Sequence, residues 1–147
     1  MKKIYDENLK LIYEGEIKNG KWNGKGKLYY ENGQIAFEGN FLNNLCEGYG
    51  LEYYENGNIK YEGEFKKNKY SGFSKKYFRN GNLMYEGYFF NGFPEGSGTL
   101  YSEDCTHVIT GNFKEGKLHD EIKILDKKEN NEIIKYYYYG IESNTKK

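Results

Sequence analysis

The chain has 147 residues, enough for one domain, and its 22 Lys+Arg balance 22 Asp+Glu. Zero net charge removes the simple electrostatic case for nucleic acid or an anionic membrane, and Arg79, the single arginine, leaves almost nothing for bidentate phosphate or guanine recognition. With 17 Tyr, 9 Phe and 1 Pro, the chain is too aromatic and too poor in proline for low-complexity disorder.

In chain order, the first segment, Ile4 to Tyr13, aligns with Leu28 to Phe37, so the chain opens half-way through a repeat. The element Tyr13-Glu14-Gly15-Glu16-Ile17 then returns every 24 residues: Phe37-Glu38-Gly39-Asn40-Phe41, Tyr61-Glu62-Gly63-Glu64-Phe65, Tyr85-Glu86-Gly87-Tyr88-Phe89 and Ile109-Thr110-Gly111-Asn112-Phe113. A fixed period of this size is the signature of a repeat architecture. Each repeat holds two strand-like runs: one rich in aromatics, as in Gly48 to Tyr54, and one in which apolar residues and glycine alternate against charge, as in Asn58 to Lys66. Frequent glycine and Tyr/Phe/Ile enrichment oppose helix.

Between the runs stands Asn-Gly, as in Glu55-Asn56-Gly57-Asn58, a strong hairpin signal because both residues tolerate positive φ. A two-residue turn there is expected, so that Tyr54 faces Ile59, Glu52 faces Tyr61, Gly50 faces Gly63 and Gly48 faces Phe65. A three-residue turn with a bulge would slip the pairing by one. The return connections, such as Lys18 to Gly24 and Phe90 to Gly96, read as looser and longer.

The expected fold is therefore all-β: a single-layer antiparallel meander of about twelve strands, roughly 60 Å long at about 4.8 Å per strand, coiled into a twisted trough. One face is assigned Tyr30, Tyr54, Phe78, Ile35, Ile59, Leu83, Tyr61 and Phe65, with facing glycines making room for rings lying across the sheet. The other is assigned Tyr29, Tyr53, Tyr77 and Tyr101 with Lys60, Glu62 and Lys66. The pattern decays after Ser102. Residues 1–140 are read as one repeat domain of about five repeats with a degenerate C-terminal cap, and 141–147 as a polar tail.

The run Tyr-Glu-Gly-x-Phe followed by Gly-x-Gly, as in Tyr85 to Phe89 with Gly96-Ser97-Gly98, resembles the MORN (membrane occupation and recognition nexus) repeat over roughly residues 4 to 120. Tyr29 to Gly33 and Tyr53 to Gly57 resemble the longer bacterial variant of that repeat, found in proteins labelled antitoxin-like. Ser74, standing in place of the second glycine, departs from the pattern. The resemblance implies a MORN-type open β-solenoid acting as a binding or scaffolding surface; the zero net charge does not support the family's lipid-binding reputation.

No constellation points to catalysis. Cys105-Thr106-His107 lacks a third partner, an elbow turn and an oxyanion donor. Cys46, Cys105, His107 and His119 show no paired zinc-ligand spacing. Gly24-Lys25-Gly26 and Gly48-Tyr49-Gly50 lack the following helix that a phosphate loop needs. Glu14, Glu38, Glu62 and Glu86 would repel single-stranded nucleic acid from the aromatic strands. The expectation is a non-enzyme without cofactor or metal, binding a protein partner, a toxin or effector domain in its narrowest form, through Tyr29, Tyr53, Tyr77, Tyr101, Tyr49 and Phe73. Membrane lipid is the weaker alternative, and the unpaired ends of the ribbon offer a route to homo-oligomers. Two thiols in different phases of the repeat, with no apolar leader from Met1 to Asp6, point to a reduced, cytoplasmic setting.

Overall fold

A computed structural model describes residues 1–143. They form one antiparallel sheet of thirteen strands in sequence order, open at both ends. The strands are β1 (Lys2–Tyr5), β2 (Leu11–Lys18), β3 (Lys21–Tyr29), β4 (Ile35–Leu42), β5 (Leu45–Tyr53), β6 (Ile59–Lys66), β7 (Lys69–Tyr77), β8 (Leu83–Phe90), β9 (Phe93–Tyr101), β10 (His107–Lys114), β11 (Lys117–Asp126), β12 (Asn131–Tyr138) and β13 (Ile141–Ser143). The all-β meander is as the 24-residue period predicts. Residues 141–143, expected to begin the tail, instead pair with β12; Tyr138 is opposite Ile141 and Tyr136 opposite Ser143. The rest of the expected tail lies outside the described residues.

The register hinges on the glycines. Gly50 faces Gly63, Gly48 faces Phe65 and Glu52 faces Tyr61, as expected. The reason is steric. A Cβ on Gly26 would sit 2.5 Å from the Tyr13 hydroxyl oxygen, and one on Gly87 would sit 2.5 Å from the Cα of Gly98. Facing glycines let the backbones approach and leave a slot that the aromatic ring two residues earlier fills.

These rings are the core. Tyr13, Phe37, Phe41, Tyr61, Phe65, Tyr85, Phe89 and Phe113 are all buried although the sheet is one layer thick. They touch edge-to-face in one zigzag, Tyr13–Phe41–Phe37–Phe65–Tyr61–Phe89–Tyr85–Phe113, with centroids 5.0–5.5 Å apart. Edge-to-face geometry places each positive ring edge on a neighbour's negative face. Two further rings stack flat on the zigzag, Trp22 on Tyr13 at 4.6 Å and Tyr70 on Tyr61 at 3.7 Å. The buried tyrosines keep their hydroxyls satisfied: Tyr13, Tyr61 and Tyr85 donate to the carbonyls of Glu16, Glu64 and Tyr88 at 2.8, 2.7 and 3.0 Å.

Ser74 marks the irregular repeat. The pairing of β6 with β7 skips Gly63 and Ser74, passing from Glu62–Lys75 to Glu64–Ser71. The buried serine side chain fills the gap: it donates to the Ser71 carbonyl at 3.1 Å and accepts from the Glu64 amide at 3.3 Å.

Both turn types differ from expectation. At Asn-Gly, the Gly57 amide bonds the Tyr54 carbonyl at 3.0 Å and the Tyr54 amide bonds the Asn58 carbonyl at 2.8 Å. Gly57 has φ +93 while Asn56 is not among the positive-φ residues. This is the three-residue loop with a glycine bulge, not the two-residue turn. It slips the pairing by one, so Tyr53, rather than Tyr54, faces Ile59. A second irregularity at Lys60 restores the register at Glu52–Tyr61. The two-residue turns are the return connections. Asn19-Gly20, Asn43-Asn44, Lys67-Asn68, Asn91-Gly92, Glu115-Gly116 and Tyr139-Gly140 all have positive φ at both positions, the type I′ combination that matches the twist of the strands.

The slip also re-sorts the faces near the loops. Ile35, Ile59 and Leu83 pair with Tyr29, Tyr53 and Tyr77, so they leave the core face to which they were assigned. The extra residue of the bulge moves the other way: Met84 packs on the core, and the Lys60 ammonium lies 5.7 Å from the Tyr54 ring centroid.

Candidate binding surface

The face opposite the aromatic zigzag carries three rows of side chains that run across the strands. The first alternates Tyr29, Ile35, Tyr53, Ile59, Tyr77, Leu83, Tyr101 and Val108. The second runs Glu14, Lys27, Glu38, Leu51, Glu62, Lys75, Glu86 and Thr99. The third carries Lys25, Asn40, Tyr49, Glu64, Phe73, Tyr88, Ser97 and Asn112. The rows follow from strand alternation and the meander: residues two apart on a strand share a face, and each pairing aligns the next strand's equivalents.

All six sequence-selected residues lie on this face. Tyr29, Tyr53, Tyr77 and Tyr101 line the first row, and Tyr49 and Phe73 stand in the third. They differ in exposure. Tyr49 and Phe73 are 54% and 55% exposed, whereas the four first-row tyrosines are partly buried. Tyr53 and Tyr77 fold over the second row and donate to the carboxylates of Glu38 and Glu62 at 2.6 and 2.7 Å. Partial burial first, and then these hydrogen bonds to a carboxylate, push both phenols up to about 12.

Tyr88 lies on the same face, opposite Phe73, and carries no periodic signal. It is 49% exposed and meets Phe73 edge-on at 5.3 Å, making a small aromatic island with Tyr49 nearby in the same row. Its equivalents in other repeats are Glu16, Asn40, Glu64 and Asn112, all polar, so only its exposure reveals it. On either side of the island the sheet is bare above its glycines. One hollow is bordered by Lys25, Lys27, Glu38, Tyr49 and Leu51 over Gly26 and Gly39. The other is bordered by Phe73, Glu86, Thr99 and Tyr101 over Gly98 and Gly111.

The residues considered for chemistry do not converge. Cys105 occupies a turn at φ +62, while His107 Nδ1 meets the Thr106 hydroxyl at 2.8 Å and its Nε2 lies 3.5 Å from Asp126. Asp104 accepts from Thr106 and Ser102 and is held well below the usual carboxylate range by those bonds. Cys46 packs against the core, and burial pushes its thiol up to about 11. His119 Nδ1 accepts the Tyr139 amide at 3.1 Å. Among the described residues no group of three or more His, Cys, Asp and Glu could hold a metal ion.

A one-layer sheet of 24-residue units, with a core of rings on one face and rows of aromatic and charged side chains on the other, defines a β-repeat protein. The MORN repeat model matches residues 13–35, 37–59, 61–83 and 85–104, and the chain belongs to the MORN-repeat family. No curated protein matches it. MORN repeats are modules that bind proteins or membranes.

Proposed function

We propose that this chain is a non-catalytic protein-binding scaffold that works through the tyrosine face. One observation carries the reading: the large rings on that face are not needed by the core. The zigzag packs on the opposite face without them: Tyr49, Phe73 and Tyr88 are half exposed and lie outside the core cluster, and Phe73 and Tyr88 meet edge-on. Half-exposed aromatics gathered on one rigid surface are the usual anchors of protein interfaces. Affinity comes from ring burial, and orientation from the carboxylates and lysines between the rows. Occlusion of a toxin domain is the narrower form of this reading and rests on the sequence resemblance alone.

The test is capture of a stoichiometric protein from the native organism by the wild-type chain and by the double variant Tyr49→Ser/Phe73→Ser. Neither ring touches the zigzag, so the variant should keep its β-type circular dichroism and melting temperature while losing the partner. Retention of the partner would sink the reading. If both the wild type and the variant capture nothing, and the wild type instead floats with anionic liposomes in a salt-sensitive way, the membrane reading takes its place. Loss of a captured toxin's activity in the complex would establish the narrower form.

A further inference from the structure

We infer that the tyrosine face is built for a polyproline-II segment of the partner that carries a lysine or arginine at every third position, laid across the strands over Glu38, Glu62 and Glu86. The inference rests on the reading of that face as the binding surface and adds the chemistry of what binds there.

Charge sets the sign of the ligand. From β4 to β8 the second and third rows carry Glu38, Glu62, Glu64 and Glu86 against Lys75, which stands between Glu62 and Glu86, while Lys27 on β3 lies 4.0 Å from Glu38, leaving a net excess of carboxylates. This stretch is acidic although the chain as a whole is neutral. Tyr53 and Tyr77 hold the Glu38 and Glu62 carboxylates in place from one side. A carboxylate fixed in position between aromatic rows suits a cation whose methylene stem lies on the rings.

Spacing sets the conformation. Glu38, Glu62 and Glu86 are one repeat apart, and one repeat is two strands, or roughly 9.6 Å. An extended strand presents same-face side chains about every 6.8 Å and misses this spacing. A helix returns to one face every seven residues, about 10.5 Å, and drifts by about 2 Å between Glu38 and Glu86. A polyproline-II helix has three residues per turn and rises about 3.1 Å per residue, so its every third side chain points the same way at about 9.3 Å. It stays within about 1 Å of register over the same interval. Its other two faces carry the apolar ring edges that pack into aromatic-lined grooves, here Tyr53 and Tyr77 on one side and Tyr49, Phe73 and Tyr88 on the other.

The experiment is fluorescence anisotropy with a labelled proline peptide of about twelve residues bearing lysine at every third position. The control peptide has the same composition with its lysines gathered at one end. The periodic peptide should bind about tenfold tighter than the control, and Glu62→Gln/Glu86→Gln should weaken it by about tenfold, as loss of charge-assisted contacts would. Glu103→Gln, an equal loss of charge per site on an exposed turn, should leave binding unchanged. Equal binding of the two peptides, no binding of either, or indifference to Glu62→Gln/Glu86→Gln would overturn the inference. Any of these with partner capture still dependent on Tyr49 and Phe73 leaves the scaffold reading standing, so the two failures are distinguishable.

Discussion

Tyr54 donates its phenolic hydrogen to the carbonyl oxygen of Tyr77, 2.7 Å away and one full repeat along the sheet. Tyr30 makes the same bond to Tyr53 at 2.5 Å. These hydroxyls staple the loop edge of one repeat to the next. At the opposite edge the turn amides do likewise: Asn44, Asn68 and Gly92 bond the carbonyls of Trp22, Cys46 and Tyr70 at 2.9–3.0 Å. The third residue of the tyrosine series is Phe78, which has no hydroxyl to give. Phe78→Tyr should therefore raise stability by about 0.5–1 kcal/mol, and Tyr54→Phe should lower it by about 1 kcal/mol, the net worth of one part-buried hydrogen bond. Urea unfolding of both variants checks this; no gain in Phe78→Tyr would show that the staple is not transferable.

Gly87→Ala should be severely destabilising, by about 3 kcal/mol or more, because overpacking here strikes parts that cannot yield. The new Cβ would lie 2.5 Å from the Gly98 Cα, 2.7 Å from the Ser97 carbonyl oxygen and 2.5 Å from the Tyr85 hydroxyl oxygen. Gly33→Ala meets nothing within 4 Å and has only its φ of +87 to contend with, for about 1–2 kcal/mol. Thermal melts that ranked these two the other way would remove the facing-glycine slot as the organising element of the sheet.

Lys67 sits at φ +49 in a type I′ turn, where a side chain other than Asn or Asp is strained. Its amide already donates to Glu47 Oε2 at 2.9 Å, a bond that any residue but proline retains. Lys67→Asn, which copies the Asn43-Asn44 turn one repeat earlier, should add about 0.5–1 kcal/mol. An unchanged or lower melting temperature would contradict the turn assignment.

High pH should unfold the protein through its tyrosines. Tyr85, by burial, and Tyr53 and Tyr77, by burial and then by their bonds to Glu38 and Glu62, have phenols pushed up to about 12. In the unfolded chain the same groups ionise near 10. Folding thus favours the protonated form, so their contribution is full below pH 10 and is lost as the pH rises through 12. Ultraviolet titration of phenolate should show a late phase near 12, and Glu38→Gln should move Tyr53 toward 10. A titration complete by pH 11 while the circular dichroism stays β-like would contradict the raised phenols of Tyr53 and Tyr77.

The meander and the register past the bulge were legible in the sequence because most junctions rest on one steric device, glycine facing glycine under a ring; Gly50 and Gly63 announce it by position alone. The turns were not legible. Asn56-Gly57 suits a two-residue turn and a three-residue loop equally, since both need glycine at positive φ, and the choice rests on backbone bonds between Tyr54 and Asn58. The real type I′ turns were masked because residues such as Lys67 and Glu115 do not look like positive-φ residues. Their strain is carried by amide bonds to Glu47 and Glu95 of the preceding repeat. On the tyrosine face, strand alternation was enough to place Tyr29, Tyr53, Tyr77, Tyr101, Tyr49 and Phe73 together. It could not show that Tyr53 and Tyr77 are engaged with carboxylates, nor add Tyr88, whose position is polar in every other repeat.

The strand order has a mechanical consequence. Every strand of the sheet is bonded to its sequence neighbours, with no crossover. A tension applied to the two ends would therefore load the hydrogen-bond ladders one after another instead of shearing the sheet as a whole. Each 24-residue unit would release roughly 80 Å of contour as it peeled away. The zigzag of rings would part at the same pace, one edge-to-face contact at a time. The ribbon would give way in steps, and any repeats still closed would keep their segment of the tyrosine face intact.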